Sequence, residues 1–132
     1  MRLGWDTFQK LRDLPFPTTA MVNGFCMGGG VELALACRYR VALDDPKTRF
    51  ALPEVMLGIM PAWHGMQWLP KLVGPAAALD MILTGKSVDA KRAKRMGLVD
   101  AGGAAAHPRE HRAHGDAGGD TPRRSCRLFR SS

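Results

Sequence analysis

Cysteine is scarce in this sequence, which has three among its 132 residues. Cys26, Cys37 and Cys126 are an odd number and show no Cys-x-x-Cys spacing. The pattern therefore argues against a zinc site and against a disulfide-stapled secreted domain. We expect reduced thiols and no bound metal.

Long hydrophobic runs are also missing. The most apolar stretch, residues 18–37, is interrupted by Asn23, several glycines and Glu32, which makes it too polar for a transmembrane helix. The first residues lack the basic, apolar and small-residue succession of a secretory signal. These features predict a cytoplasmic protein that does not enter a membrane.

The charge of the chain is predominantly of one sign. Lys and Arg total 19 against 12 Asp and Glu, which gives a formal net charge of +7. Residues 101–132 hold six basic and three acidic side chains, so nearly half of the excess lies in the last quarter. A basic excess raises nucleic acid as a partner. Phe129 is the single aromatic residue of that segment, so base stacking is poorly supported and we do not expect nucleic-acid binding.

A mixed α/β pattern within one domain is what the sequence does contain. Apolar residues recur at helical spacing from Trp5 to Leu14, ahead of two prolines, and predict an amphipathic helix. Composition, Gly and Pro breakers and capping residues predict the other elements. They are a buried strand over 18–22, a helix over 31–37, a buried strand over 39–43, a helix from Pro75 to residue 83, and a helix capped by Ser87 that runs to Met96.

Residues 101–132 differ from the rest of the chain. They are rich in Gly, Ala, Arg, His and Pro and contain one Leu, one Phe and no Val, Ile or Met. Such a segment buries too little apolar surface to offset the entropy of ordering it. We therefore predict a folded unit over residues 1–100 and a disordered basic tail over residues 101–132.

Two of the three glutamates stand in unusual positions. Glu32 follows three glycines at a predicted helix start, and Glu54 follows a proline in an apolar segment that we expect to be buried. A carboxylate in apolar surroundings has a raised pKa, which suits proton transfer near neutral pH. The alternatives are a charge that complements the helix dipole for Glu32 and an exposed loop carboxylate for Glu54. Spacing alone leaves both readings open.

Three consecutive glycines, Gly28, Gly29 and Gly30, precede the predicted helix over 31–37. Glycines there let the backbone approach a ligand and aim free N–H groups at an anion or oxyanion. No Lys-Ser or Lys-Thr follows them, and the spacing is not that of a dinucleotide-binding GxGxxG segment. Tight packing of the helix against a sheet explains the glycines equally well.

Five segments resemble a known family in its order and spacing. PTTAMVNG at 17–24 and MGGGVELALAC at 27–37 resemble the central motif of the enoyl-CoA hydratase/isomerase (crotonase) superfamily, and FALPEVMLGIMP at 50–61 resembles its second motif. LTGK at 83–86 and AKRMGLVD at 93–100 match its downstream helices. LTGK and the LPFP at 14–17 look most like the hydratase part of the multifunctional fatty-acid oxidation enzyme. In that enzyme an NAD-dependent 3-hydroxyacyl-CoA dehydrogenase follows on the same chain.

The resemblance implies an active site. Glu32 and Glu54 match the two catalytic glutamates, which hold a water and move its protons across the C2–C3 double bond of an enoyl thioester. Gly29 matches the glycine whose N–H binds the thioester oxygen in the oxyanion hole. Three neighbours are expected to contact the substrate: Gly28, Gly30 and Pro61. Because both glutamates are present, hydration is favoured over double-bond isomerisation.

The same resemblance implies an α/β fold that is a partial crotonase-like ββα spiral. The N-terminal strands, which supply the second oxyanion N–H, and the C-terminal helices are expected to be missing. We therefore expect a hydratase fragment that is inactive alone, and the alternative is a non-catalytic fragment that associates with intact crotonase-family subunits. The implied substrate is an acyl-CoA thioester, with no resident cofactor. NAD belongs only to the absent dehydrogenase part, and full-length partners are further copies of the chain or a thiolase subunit.

Two departures from the family pattern are visible. After Pro61 the chain has Ala62-Trp63-His64-Gly65, where the family has small residues and paired glycines. His64 could act as a third acid–base group, a weaker reading because the glutamates already fill that role.

The segment after Asp100 resembles nothing in the family, and its Arg, Gly, Ala and His bias is typical of GC-rich DNA read out of frame. We hypothesise a frameshift near Asp100. If neither of the other two reading frames of the DNA after Asp100 encodes family-like residues, the hypothesis is contradicted.

Overall fold

The computed structural model describes residues 2–102, and the predicted tail from residue 103 onward lies outside this range. The helices are α1 (Arg2–Arg12), α2 (Gly29–Ala36), α3 (Gly65–Val73), α4 (Pro75–Thr84) and α5 (Ala90–Arg95), with a 3₁₀ helix at Pro53–Leu57. The strands are β1 (Thr19–Val22), β2 (Phe25–Met27), β3 (Tyr39–Ala42), β4 (Arg49–Ala51), β5 (Val88–Asp89) and β6 (Ala101–Gly102). The α/β class expected from the sequence is confirmed.

Two three-stranded sheets form the frame, in the orders β1-β3-β6 and β2-β4-β5. β1 pairs in parallel with β3, and β2 pairs in parallel with β4. Strands β1 to β4 alternate between the sheets, and α2 connects β2 to β3. Two strands are thus followed by a helix that returns the chain to the first sheet, which makes the pairing of β1 with β3 parallel. β5 departs from this alternation, because it pairs antiparallel with β4 in the same sheet.

Helix α2 lies in the hydrophobic core. It is apolar on nearly every side, as expected of a helix that other elements surround. Val31, Leu35 and Ala36 are almost fully buried. They pack in the same core cluster as Phe50 and Leu69, which belong to β4 and α3. The N-terminal end of α2 is thus held rigidly from several sides, which matters for the site built there.

Three predictions about exposure and capping are wrong. β1 is not buried: Met21 is 80% exposed, because β1 pairs on one side only in the described residues. The segment after Glu54 is exposed as well, since the 3₁₀ helix turns residues 55–57 outward. Asp89, not Ser87, caps α5 by accepting from the N–H of Arg92 at 2.7 Å. The cap moves because Val88–Asp89 pairs with β4 as a strand.

Some elements had no clear sequence signal. Helix α3 contains Pro70, a residue that normally argues against a helix interior. β2 and β5 are shorter than the runs from which strands are predicted. β6 pairs in parallel with β3, so regular structure continues for two residues past the predicted boundary at Asp100. Among residues 2–102, no helix has the length and apolarity that crossing a bilayer requires.

A buried ion pair connects β3 to the end of the described chain. The Arg40 guanidinium, with a side chain 6% exposed, lies 3.2 Å from the carboxylate of Asp100, which is 34% exposed. Arg40 also donates to the carbonyl of Leu98 at 2.9 Å and to that of Cys37 at 2.8 Å. Its backbone N–H donates to Asp100 at 2.8 Å. Asp100 therefore neutralises the buried guanidinium charge of Arg40 and also accepts a hydrogen bond from the backbone N–H of the same residue in β3.

We expect Asp100→Ala to lower the free energy of unfolding by about 2–3 kcal/mol. This is less than the roughly 3–5 kcal/mol typical of breaking a buried pair, because Asp100 is partly exposed. Urea unfolding followed by circular dichroism measures the loss. The matched control is Asp44→Ala, since Asp44 lies 3.9 Å from Lys91 on the surface and such pairs contribute little. Equal effects of the two substitutions would contradict the prediction.

Candidate active site

The site is built at the start of α2, where the glycines lie. Gly28 precedes the helix with φ +53°, a conformation that favours glycine, and its N–H donates to the carbonyl of Ala51 at 2.9 Å. This bond joins the end of β4 to the start of α2. The first N–H groups of a helix have no acceptor within it, so those of Gly29 and Gly30 are available at this end. A positive helix end is thus presented beside the glutamates.

Glu32 lies in the first turn of α2 and is 2% exposed. Its Oε1 accepts from the backbone N–H of Trp63 at 2.7 Å and from that of Gly65 at 2.8 Å. Burial raises the pKa of Glu32, the two backbone hydrogen bonds oppose the rise, and the negative charge of Glu54 adds to it. The net direction is upward, which gives a carboxyl group able to hold a proton closer to neutral pH.

Glu54 lies beside Gly28. It follows Pro53 in the 3₁₀ helix, and its Oε1 is 3.0 Å from the position that a Cβ atom on Gly28 would occupy. Its Oε2 is buried and has no hydrogen-bond partner among the described residues. Because buried polar atoms normally have a partner, this oxygen is suited to a donor brought by a ligand or a water. Both carboxylates therefore belong to one region at the start of α2.

Trp63 covers Gly29. A Cβ atom on Gly29 would lie 2.9 Å from Cζ3 of the Trp63 indole, so only a glycine allows this approach. The ring also packs edge-on against Phe8 of α1, with 5.5 Å between ring centroids. A bulky aromatic side chain consequently stands next to the N–H that the resemblance assigns to the oxyanion hole. The sequence had indicated bulk in this loop but not its position.

The remaining candidates take different positions. Pro61 is fully buried, and its Cβ is 3.1 Å from the place of a Cβ on Gly65, so it lies behind the loop. Gly30 is exposed on α2. The ring nitrogens of His64 contact the carbonyl of Trp5 and the Oε1 of Gln67, not a glutamate. The acid–base reading of His64 therefore gains no support from its contacts.

Two partly open cavities lie away from the glutamates. One of about 260 Å³ lies at the other end of α2, lined by Arg12, Arg40 and Trp68 among others. The other, of about 250 Å³, is apolar and lies between α3 and α4, with Met66 and Leu79 in its wall. Neither is lined by Glu32 or Glu54.

The two described thiols are free cysteines rather than a disulfide. Cys26 and Cys37 are both free, and burial raises the pKa of Cys26 to about 11, which makes it a poor nucleophile. In residues 2–102, no three His, Cys, Asp or Glu side chains gather closely enough to share a metal ion.

Stability should depend on pH through Glu32. Below its ordinary pKa of 4.5 the group is protonated in both folded and unfolded chains. As the pH rises above that value, the unfolded chain loses the proton first, so the free energy of unfolding falls until the raised folded pKa is passed. Glu32→Gln should remove this decline in urea titrations between about pH 4 and 8. Asp6→Asn, on the exposed face of α1, is the control, and an unchanged decline in Glu32→Gln would contradict the assignment.

The backbone donors to Glu32 are the part of the site that the sequence did not reveal. Trp63 and Gly65 contribute through N–H groups, which leave no trace in residue identity. Gly65 was the one sequence feature that pointed to this contact, because a Cβ atom there would lie 2.8 Å from Oε1 of Glu32. A glycine directly after Trp63 and His64 indicates that another group packs closely against the backbone, but the sequence does not identify that group.

Comparisons with known proteins show which family the chain resembles. The model of the family described as Enoyl-CoA hydratase/isomerase matches residues 4–112, a range that extends past Asp100. The fatty acid oxidation complex subunit alpha of Vibrio cholerae is 58% identical over 98 residues, which are 74% of this chain and 14% of that relative. The chain therefore spans about one seventh of the length of the curated relatives it matches.

Solved structures show the same similarity. An enoyl-CoA hydratase from Bacillus anthracis is 38% identical with a TM-score of 0.73, covering 76% of this chain and 38% of that one. The Pseudomonas aeruginosa protein DspI is 44% identical with a TM-score of 0.74, over the same shares. The partial crotonase-like fold expected from the sequence is confirmed.

Proposed function

The chain belongs to the enoyl-CoA hydratase/isomerase family, and from this membership we propose that Glu32, Glu54 and Gly29 add water across the C2–C3 double bond of an enoyl-CoA thioester. The observation that supports this most directly is the glutamate pair at the start of α2, where burial raises the pKa of Glu32 and the charge of Glu54 adds to the rise. A raised pKa lets the Glu32 carboxyl group keep a proton to a higher pH than an ordinary carboxyl group does.

The proposed reaction needs one proton taken and one given. As the water oxygen bonds to C3, one glutamate takes a proton from the water. The other glutamate, which is protonated at the start, gives its proton to C2. The unpartnered Oε2 of Glu54 is a suitable acceptor for a hydrogen of that water. The N–H of Gly29, at the positive end of α2, would bind the thioester oxygen as it gains enolate charge. The product gains the hydroxyl group of the water at C3 and the proton of the second glutamate at C2. The first glutamate keeps the other proton of the water, and proton exchange with solvent returns both carboxyl groups to their starting states.

We propose the pathway, the substrate class and the partners from the names of the relatives. Fatty acid oxidation complex subunit alpha is the printed name of the curated relatives, so we place this site within fatty-acid oxidation and within a larger complex. We propose an acyl-CoA substrate and further family subunits as partners. The absence of a resident cofactor and the cytoplasmic location stay predictions.

The test uses a chimera. Residues 4–102 of this chain replace the matching segment of the Vibrio cholerae subunit alpha, which supplies the rest of the fold. Hydration of a short enoyl-CoA is followed by the loss of ultraviolet absorbance of the conjugated thioester. Activity that depends on both glutamates is the expected result. A folded chimera without hydratase activity would contradict the proposal.

A second function, association without catalysis, is favoured by exposed apolar side chains. Met56, Leu57 and Ile59 are 70%, 76% and 56% exposed, and Phe25 is 75% exposed. Large apolar side chains grouped on a surface commonly mark a contact with another chain. The test is co-purification of this chain with an intact hydratase of the family. Capture that Met56→Ser and Leu57→Ser together abolish would support association, and no capture would contradict it.

A further inference from the structure

His64 holds an unusual backbone conformation next to Glu32. Its φ is +79°, and it is the single non-glycine residue of positive φ among residues 2–102. Residues with a side chain rarely adopt this left-handed region, and they remain there only where surrounding contacts enforce it. The contacts of the His64 side chain and of the neighbouring backbone therefore bear on what holds the conformation.

The His64 ring is packed between two indoles. The Trp68 ring stacks on one face with 4.1 Å between centroids and 8° between planes, and the Trp5 ring lies 3.5 Å away on a 37° tilt. His64 is 4% exposed. Its Nε2 is 3.3 Å from the carbonyl oxygen of Trp5, and because a carbonyl only accepts, Nε2 is the donor. Nδ1 lies 3.2 Å from Oε1 of Gln67. The ring is thus fixed by α1 on one side and α3 on the other.

The left-handed turn at His64 aims its neighbours at one atom. The N–H groups of Trp63 and Gly65, on either side of His64, both donate to Oε1 of Glu32, at 2.7 and 2.8 Å. N–H groups around a residue of this conformation converge to form a small anion-binding concavity. In this chain the anion held there is the Glu32 carboxylate.

We infer that His64 is a positioning residue: its ring, held between Trp5 and Trp68, fixes the turn whose N–H groups orient Glu32. Helix α1 thereby becomes part of the support of the site, through Trp5. The inference rests on the proposed function only for the role of Glu32 in proton transfer. The link from the Trp5 indole of α1 through His64 to the Glu32 carboxylate does not depend on that role and exists without substrate.

The experiment uses the whole chain and carbon-13 at the glutamate carboxyl groups. With three glutamates in the sequence, three signals titrate, and Glu32→Gln identifies the one of interest. Trp5→Ala should raise the pKa of Glu32 above that of the unchanged chain, because the two backbone hydrogen bonds that lower it are loosened. Trp5→Ala leaves the His64 side chain itself in the protein. Leu3→Ala is the matched control, since Leu3 is on the same helix and 82% exposed.

Amide hydrogen exchange gives a second readout. The Trp63 and Gly65 N–H groups should exchange on the order of tenfold faster in Trp5→Ala and remain unchanged in Leu3→Ala. His64→Gly is the second variant, should Trp5→Ala fail to fold. Glycine accepts the left-handed backbone without strain but provides no ring. If the ring fixes the turn, His64→Gly should raise both exchange rates, and exchange is the readout for this variant because the His64 side chain itself lowers the pKa of Glu32.

Unchanged exchange and titration in a folded Trp5→Ala chain, or unchanged exchange in a folded His64→Gly chain, would overturn the inference. Neither readout needs substrate or the chimera, so the outcome is separate from that of the proposed function. A chimera without hydratase activity together with a shifted Glu32 titration would contradict the proposed hydration and leave the positioning role standing.

Discussion

Glu32→Gln is expected to lower the hydration rate of the chimera by about 10²–10⁴-fold, the contribution typical of a general acid–base group. The amide keeps the shape of the carboxylate, and its oxygen can still accept from the N–H groups of Trp63 and Gly65. What it loses is the ability to take up and release a proton. The loss should therefore appear in kcat, with KM for the enoyl-CoA nearly unchanged.

Glu54→Gln should cause a loss of similar size, since the proposed reaction uses both carboxyl groups. The double substitution should be little slower than either single one, because groups that act as a unit are not additive. Asp80→Asn makes the same carboxylate-to-amide change on the exposed side of α4 and should leave kcat unchanged. Full activity in either glutamate variant would remove the role assigned to that residue.

Glu32→Gln should also make the chain more stable near neutral pH. Burial raises the pKa of Glu32, so the ionised form destabilises the folded state relative to the unfolded one. A neutral amide does not have this cost. Lower activity together with higher stability is the pattern expected where a site keeps a group that the fold alone would not favour.

The helices were the part of the fold most readily predicted. The spacing from Trp5 to Leu14, Pro75 at a first helical position and Gly85 after the last one are local signals, and α1 and α4 follow them. The capping of α5 was not local, because the pairing of Val88–Asp89 with β4 moved its start to Ala90. Exposure of β1 likewise depends on which strands lie beside it, and a single strand's composition does not record that.

The candidate site divides in the same way. Glu32, Glu54 and the glycines stand out in residue identities, as carboxylates in apolar segments and as three glycines before a helix. Those identities left their roles open, and the resemblance to the family supplied the expected roles. The N–H donors to Glu32 and the left-handed turn at His64 could not be found in this way, because they depend on backbone geometry set by a ring sandwich between α1 and α3. That sandwich joins residue 5 to residues 64 and 68, which lie close to each other but far from residue 5 in sequence.

Gly65→Ala is expected to lower the hydration rate of the chimera on the order of 10²-fold. A Cβ atom at this position would lie 2.8 Å from Oε1 of Glu32 and 3.1 Å from its Cγ, with Pro61 Cβ also at 3.1 Å. The carboxylate cannot stay where it is, and a displacement of about 1 Å in a reacting group costs about that much in rate. Overpacking of this kind should also lower the free energy of unfolding by about 1–3 kcal/mol.

A double-substitution cycle separates displacement of Glu32 from general damage. If Gly65→Ala acts through Glu32, then adding it to Glu32→Gln should slow hydration little further, because the group it displaces has already lost its proton chemistry. Gly102→Ala is the matched control, since a Cβ there meets the carbonyl of Ala42 at an ordinary 3.5 Å. Fully additive losses from Gly65→Ala and Glu32→Gln would mean that the loop at Gly65 serves the reaction by a route other than the Glu32 carboxylate.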